Sequence, residues 1–302
     1  MRKYIPDPAG KAPDFIRFKG KTFSKTLNVV NSSVKRSTLS TVCEEASCPN
    51  KTECWSGGTA TFMLMGDTCT RGCGFCNVKT SRTPDPLDPL EGEKLVQALA
   101  SWNITYIVIT SVDRDDLPDG GAQHLADCIA LVKSAYPSLL IEILIPDFNG
   151  RIEDIRKIVD AKPDVIAHNI ETVKRLTPKV RDRRASYQQS LTVLKSIKQL
   201  DADIKTKSSI MLGLSETEEE VSKTMYDLRE VGVDFLTIGQ YMRPSFKHLP
   251  VKEYLPLDVY KNYENIGMNF GFIFVASGPL VRSSYRAGEF YIENYLRSSI
   301  SG

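Results

Sequence analysis

The sequence predicts an α/β fold built as a barrel of strand–helix units, and three observations lead there. Short β-rich apolar runs alternate with stretches of helical spacing six times over. The runs are apolar nearly throughout, as expected for parallel strands covered on both faces. Polar residues collect just past their C-terminal ends, strand after strand, which suits a rim that gathers every strand end better than an open sheet with one switch point.

The elements follow in order. Strands are expected at Ala60–Met65, Ile104–Thr110, Leu139–Ile145, Asp164–His168, Lys205–Leu212 and Phe235–Gly239, with a further one at Ile273–Val275. The third is interrupted by Glu142. Helical spacing marks Gly92–Ala100, Ala122–Ala135, Ile152–Asp160, Tyr187–Leu200 and Glu216–Val231. The last follows Ser215, with Glu218 three residues on, which reads as a capping box. The polar strand ends are Thr110-Ser111-Val112-Asp113-Arg114-Asp115, Pro146-Asp147, His168-Asn169-Ile170-Glu171 and Gln240-Tyr241-Met242-Arg243.

Composition removes several classes. The 302 residues carry 39 Lys+Arg against 37 Asp+Glu, a formal net charge of +2, which gives no whole-molecule reason to expect nucleic acid as partner. No apolar run approaches the ~18 residues of a membrane span. The N-terminus has no apolar h-region, so a cytoplasmic enzyme is expected. Charge is uneven, however. Residues 1–36 hold Arg2, Lys3, Lys11, Arg17, Lys19, Lys21, Lys25, Lys35 and Arg36 against Asp7 and Asp14, a basic arm suited to solvent or to an acidic protein partner.

Six of the seven cysteines fall between Cys43 and Cys76. Without a secretory signal, that clustering points to thiolate metal ligands rather than disulfides. Cys69-Thr70-Arg71-Gly72-Cys73-Gly74-Phe75-Cys76 sets three sulfurs at CxxxCxxC spacing directly after the first strand, with Gly72 and Gly74 expected to let the backbone curl. Three cysteines leave one iron of a four-iron cluster open for a ligand. Zinc would ordinarily take four ligands from paired knuckles, and a bacterial ferredoxin would show CxxCxxC with a fourth cysteine before proline; both fit less well. Cys128, on an apolar helical face, reads as core. His124 reads as structural, His168 as orienting Asn169, and His248 as a loop residue; there is neither an HExxH motif nor a Walker A loop.

A second triplet, Cys43-Glu-Glu-Ala-Ser-Cys48-Pro-Asn-Lys-Thr-Glu-Cys54, and the tetrad Arg282-Ser283-Ser284-Tyr285 complete a pattern. CxxxCxxC after the first barrel strand resembles the radical S-adenosylmethionine superfamily. The second triplet and the RSSY tetrad are similar to those of the lipoyl synthase family, a likeness that runs from about Thr41 to Ala287 and includes SVDRDDLPDGGA, HNIET and QYMRPS.

The resemblance implies a partial (β/α)6 barrel at 59–268, an N-terminal extension at 1–58 with the auxiliary-cluster cysteines, and a C-terminal segment at 269–302 with RSSY. It implies two 4Fe–4S clusters. Cys69, Cys73 and Cys76 would hold the first, where S-adenosylmethionine is cleaved to a 5′-deoxyadenosyl radical. Cys43, Cys48, Cys54 and Ser284 would hold the second, consumed as sulfur donor for C6 and C8 of a protein-bound octanoyl chain. Asn169, Glu171 and Arg183, with Thr110 and Ser111 on the same rim, would contact S-adenosylmethionine. Implied partners are an octanoylated lipoyl carrier domain (a glycine cleavage H protein or a 2-oxoacid dehydrogenase E2 domain), a ferredoxin- or flavodoxin-like reductant, and an iron–sulfur carrier.

Overall fold

The structure is a computed structural model that describes residues 7–16, 25–56, 60–100, 102, 104–284 and 286–300. Arg2, Lys3, Arg17, Lys19 and Lys21 of the basic arm and Tyr285 of RSSY lie outside the described residues.

The strands are β1 (Ser40–Thr41), β2 (Thr61–Leu64), β3 (Thr68–Cys69), β4 (Lys79–Thr80), β5 (Tyr106–Ser111), β6 (Leu140–Leu144), β7 (Val165–Ala167), β8 (Lys205–Leu212), β9 (Phe235–Gln240) and β10 (Phe274–Ser277). Eight of them form one sheet in the order β1-β2-β5-β6-β7-β8-β9-β10, while β3 and β4 make a small separate ribbon. Within the sheet β1 pairs antiparallel to β2, and every other pairing is parallel. With β1 and β10 at its edges the sheet stays open, so the architecture is a partial barrel. Parallel β10, in register with β9 from Phe274↔Phe235 to Ser277↔Ile238, extends it beyond the six expected units.

The helices are α1 (Lys25–Ser37), α2 (Val42–Glu45), α3 (Lys51–Ser56), α4 (Glu91–Leu99), α5 (Ala122–Ala135), α6 (Ile152–Asp160), α7 (Thr177–Val180), α8 (Tyr187–Leu200), α9 (Glu218–Glu230), α10 (Leu257–Asn269) and α11 (Arg286–Ile300). Among the described residues no helix is long and apolar enough to cross a membrane. The capping box of α9 sits two residues later than the sequence indicated. Thr217 accepts the Glu220 N–H at 3.3 Å, Glu220 accepts the Thr217 N–H at 3.0 Å, and Ser215 instead takes a left-handed φ of 83° in the turn before.

Alternation along each strand sorts the core. Ile107, Ile109, Ile141 and Ile143 pack with Leu95, Leu125 and Ile129 of the outer helices, in a cluster that also takes in Val30 and Val34 of α1 and Trp55 of α3. A second cluster joins β8 and β9 to α8, α9 and α10. Residues of the opposite strand face, Tyr106, Val108, Leu140, Val165 and Phe235, pack against Ile292 and Leu296 of α11. Glu142 belongs to that inner face. Its carboxylate accepts both oxygens' worth of Lys207 Nζ contact at 2.7 and 2.8 Å and the Tyr106 hydroxyl at 2.6 Å. A charge in mid-strand is thus tolerated because its partners are buried with it.

Candidate active site

The chain reverses after β2 at Met65 and Gly66, both at left-handed φ (67° and 84°). Glu91, at the start of α4, fastens this turn by accepting the Met65 N–H at 2.8 Å, and His124 Nε2 lies 2.7 Å from the same carboxylate. His124 is therefore a structural bracket. The ribbon β3–β4 then closes the base of the loop that carries Cys69, Cys73 and Cys76.

Backbone N–H groups point at the sulfurs. Cys69 Sγ accepts from Arg71 at 3.4 Å and Asp113 at 3.3 Å, and Cys73 Sγ accepts from Asp182 at 3.3 Å. The curl does not use left-handed glycine, since neither Gly72 nor Gly74 has a positive φ. Gly74 serves close approach instead. Its N–H bonds the Val180 carbonyl at 2.8 Å, its carbonyl accepts from Leu249 at 3.0 Å, and a Cβ would press on the Leu249 side chain at 3.1 Å. Gly72 meets nothing within 4 Å, and its N–H bonds Asp182 at 2.9 Å.

Arg71, between two of the cysteines, is the tether that sequence reasoning missed. It is buried, and its fork reaches Asp115 at 2.7 Å, Asp147 at 2.6 Å and Asp113 at 3.3 Å, joining the cysteine loop to the ends of β5 and β6. The DRDD run is therefore not a solvated loop: Arg114 is buried as well, paired with Asp116 at 2.8 Å.

Burial pushes the Cys69 and Cys73 thiols up to about 12 and raises Cys76 too, with Asp113 adding to each. Protons must leave these sulfurs when metal binds, which couples cluster loading to pH. Among the described residues, only Glu91, His124 and Cys128 bring three potential ligand atoms within 4.8 Å of one another. Neither cysteine triplet is drawn that tightly. Soft thiolates suit iron–sulfur chemistry, and three of them leave one iron of a four-iron cluster for another ligand.

All six cysteines line one cavity of about 540 Å³, together with Ser283 and Ser284. That volume is in the range of small-molecule sites. Cys43 is on α2, Cys54 on α3, and Cys48 in the turn between them. Asn77, next to Cys76, donates to the Glu45 carbonyl at 3.0 Å and so ties the two cysteine loops together.

The strand ends supply the polar wall. Thr110, Ser111, Asn169 and Glu171 all line the cavity. Asn169 Nδ2 donates to Glu171 at 3.0 Å, whereas Asn169 Oδ1 and Ser111 Oγ are buried with no partner among the described residues. Such atoms fit a polar ligand in the cavity. Glu171 is held at a left-handed φ of 69° because its N–H and carbonyl join β8, bonding Ser209 at 3.0 Å and Met211 at 2.8 Å. Burial raises its pKa.

Arg183 is placed elsewhere: it is exposed and does not line the cavity. Arg181 faces in, with Nη1 donating to Ser190 at 2.6 Å and Nε buried without a partner among the described residues. Arg184 turns to the cysteine loop, donating to the Thr70 carbonyl at 2.7 Å. His168 is buried between the Ile145 carbonyl and Ser190, each at 2.9 Å. His248 meets the Cys76 carbonyl at 2.9 Å, a contact that sequence reasoning missed. Cys128 is buried in the outer core.

Comparison with known proteins agrees with this geometry. Residues 63–228 match the family model described as the radical SAM superfamily. The mitochondrial lipoyl synthase of Culex quinquefasciatus is 55% identical over 92% of this chain and 74% of that protein. The apicoplast lipoyl synthase of Plasmodium falciparum is 53% identical over 96% of this chain and 69% of that protein. The fold resembles methylornithine synthase (TM-score 0.54, 13% identity, 85% of this chain and 79% of that one). It also resembles the FeFe-hydrogenase maturase of Carboxydothermus hydrogenoformans (TM-score 0.57, 12% identity, 79% and 66%).

These relatives overturn the cytoplasmic address expected from the N-terminus, for they are organellar proteins. The expectation failed because organellar signals are amphipathic and basic, so the lack of an apolar h-region does not bear on them. A matching family model across most of the barrel, and relatives above 50% identity over nearly the whole length, agree with two cysteine triplets on one cavity: the chain belongs to the lipoyl synthase family of the radical S-adenosylmethionine superfamily.

Proposed function

We propose that this chain inserts two sulfur atoms, at C6 and C8 of an octanoyl chain amide-linked to a lysine of a lipoyl carrier domain. The observation that carries the reading is that both cysteine triplets and Ser284 open into the same cavity as the polar strand ends. Cys69, Cys73 and Cys76 hold a 4Fe–4S cluster, and Asn169, Glu171, Thr110 and Ser111, with Arg181 in the place first given to Arg183, hold S-adenosylmethionine. When bound, S-adenosylmethionine and its reduced cluster supply hydrogen-abstracting radical chemistry at unactivated carbon.

The protein's part is placement. Arg71 and its aspartates fix the cysteine loop against the strand ends. The unpartnered Asn169 Oδ1 and Ser111 Oγ give the ligand a fixed polar wall. Apolar Met63, Val112, Ile145 and Met211 line the same space, suited to an alkyl chain and to the exclusion of water.

The second cluster, on Cys43, Cys48, Cys54 and Ser284, is a substrate in this reading, because its sulfide is transferred. A hard serine oxygen matches a soft iron site poorly, so that iron is the first to leave. The proposed partners are an octanoylated H protein or E2 domain, a ferredoxin- or flavodoxin-like reductant, and an iron–sulfur carrier that rebuilds the consumed cluster. Segments 1–58, 59–268 and 269–302 carry the auxiliary cysteines, the six strand–helix units and RSSY, the last also adding β10 to the barrel sheet.

The test is anaerobic. Chain reconstituted with iron and sulfide receives reductant, S-adenosylmethionine and an octanoyl-lysyl peptide, and peptide mass is followed with deoxyadenosine. A gain of two sulfurs with two deoxyadenosines per product is expected. Deoxyadenosine without any sulfur gain, from chain holding both clusters, would refute the substrate assignment.

A further inference from the structure

The strap that carries Ser283 and Ser284 leaves β10 at Ser277 and crosses the rim of the cavity. It is fixed from two sides. Asn50, buried between Cys48 and Cys54, donates Nδ2 to the Leu280 carbonyl at 2.6 Å. On the other side lies Gly239 of β9. A Cβ there would overlap the Val281 carbonyl oxygen and stand 3.3 Å from Arg282 Nη1, so only glycine lets the strap lie down on the sheet.

Arg282 divides its fork. Nη1 donates to the Pro279 carbonyl at 3.2 Å and the Val281 carbonyl at 2.6 Å, closing the turn of its own strap. Nη2 is buried with no partner among the described residues, and the residue lines the cavity shared by the six cysteines. Arg282 is half-buried as a residue; the fully buried Arg71 and Arg114 have their anions, Arg71 with Asp115 and Asp147, and Arg114 with Asp116. Among the described residues no carboxylate pairs with Arg282. Cys48 and Ser284 line the same cavity as Arg282. A buried cation with idle N–H groups is costly unless an anion meets it.

We propose that Arg282 is the cationic hydrogen-bond donor of the auxiliary site: Nη2, idle within the chain, would donate to sulfur of a cluster held there, while Nη1 holds the strap that presents Ser284. It is a positioning residue that also offsets the negative charge of the thiolates. This rests on the reading that Cys43, Cys48 and Cys54 hold a second cluster. Hydrogen bonds and charge around cluster sulfurs set reduction potential and metal retention. Lysine would keep the charge but could not serve both directions with one planar fork.

The test uses the full chain, reconstituted anaerobically, as wild type, Arg282→Gln and Arg282→Lys. Each is also made with Cys69, Cys73 and Cys76 replaced by Ala, so that the auxiliary cluster is seen alone. Iron loss to a chelator and the midpoint potential of the remaining cluster are measured. Arg282→Gln should lose auxiliary iron about tenfold to a hundredfold faster and be reduced at lower potential, since a positive charge beside the sulfurs has gone. Arg282→Lys should restore the potential more fully than the retention. Wild-type potential and retention in Arg282→Gln would overturn the proposal. Should that variant fail to fold, wild-type retention in Arg282→Lys would overturn it. If chain lacking Cys43, Cys48 and Cys54 still held the iron of two clusters, the two-cluster reading itself would fall instead.

Discussion

Replacing His168 with glutamine removes a titration that the fold makes costly. The ring is 3% exposed. Its Nδ1–H donates to the Ile145 carbonyl at 2.9 Å, and Nε2 accepts from the Ser190 hydroxyl at 2.9 Å. That hydroxyl in turn accepts from Arg181 Nη1 at 2.6 Å. The neutral ring is therefore fully satisfied. A second proton would set an N–H against a hydroxyl already turned toward it, beside the Arg181 cation. Burial first, and Arg181 next, bring the His168 pKa down to about 4 from 6.5. Between those values the unfolded chain takes up a proton that the folded chain refuses, so stability falls as pH drops from 6.5 toward 4. The loss is about 3 kcal/mol. Urea unfolding of the iron-free, thiol-reduced chain at stepped pH, for wild type and His168→Gln, isolates this group, because other titrations are common to both. Wild type should lose about 3 kcal/mol more than the variant across that window. A constant stability difference between the two proteins from pH 7 to pH 4 would refute the reasoning.

Three further outcomes are expected. Cys73→Ala should abolish deoxyadenosine formation while keeping the iron of the auxiliary site; loss of all iron would argue for one shared cluster. Ser284→Ala should leave S-adenosylmethionine cleavage largely intact and slow sulfur gain on the octanoyl peptide by about tenfold or more, whereas lost cleavage would put the ligand assignment in doubt. Lys207→Met strands the Glu142 carboxylate on the inner face and should cost about 3–5 kcal/mol in denaturant unfolding, most of it recovered by adding Glu142→Leu; no recovery would mean that the lysine acts by something other than pairing.

The strands were legible because parallel strands with both faces covered are largely apolar and buried along their length, as Tyr106–Ser111 and Phe235–Gln240 are. The cysteine spacings were legible because a ligand set is written locally. What the sequence hid is long-range. Nothing near Arg71 announces Asp147, seventy-six residues away, as its partner. The choice among Arg181, Arg183 and Arg184 depends on the turn at Asp182, whose N–H is fixed by the Cys73 sulfur. Glu142 looked like an interruption because Lys207 lies two strands over in the sheet. At the start of α9, two adjacent Ser/Thr-x-x-Glu patterns competed, and the left-handed Ser215 decided for Thr217. Asn50 and Arg282 acquire meaning only once the two ends of the chain are brought together.

The seating of α11 fixes an order of events during synthesis. Tyr106, Val108, Leu140, Val165 and Phe235 are all translated before Ile292 and Leu296, yet their inner-face packing needs those two residues. Chain released residue by residue from a ribosome therefore carries an unfinished barrel floor until α11 has emerged. Ser284 lies immediately ahead of that helix, so the oxygen offered to the auxiliary cysteines is also set late. Iron and sulfide delivered to Cys43, Cys48 and Cys54 on a nascent chain would meet three thiols and no serine, and complete assembly of that site waits until the segment carrying Ser284 has been made and seated.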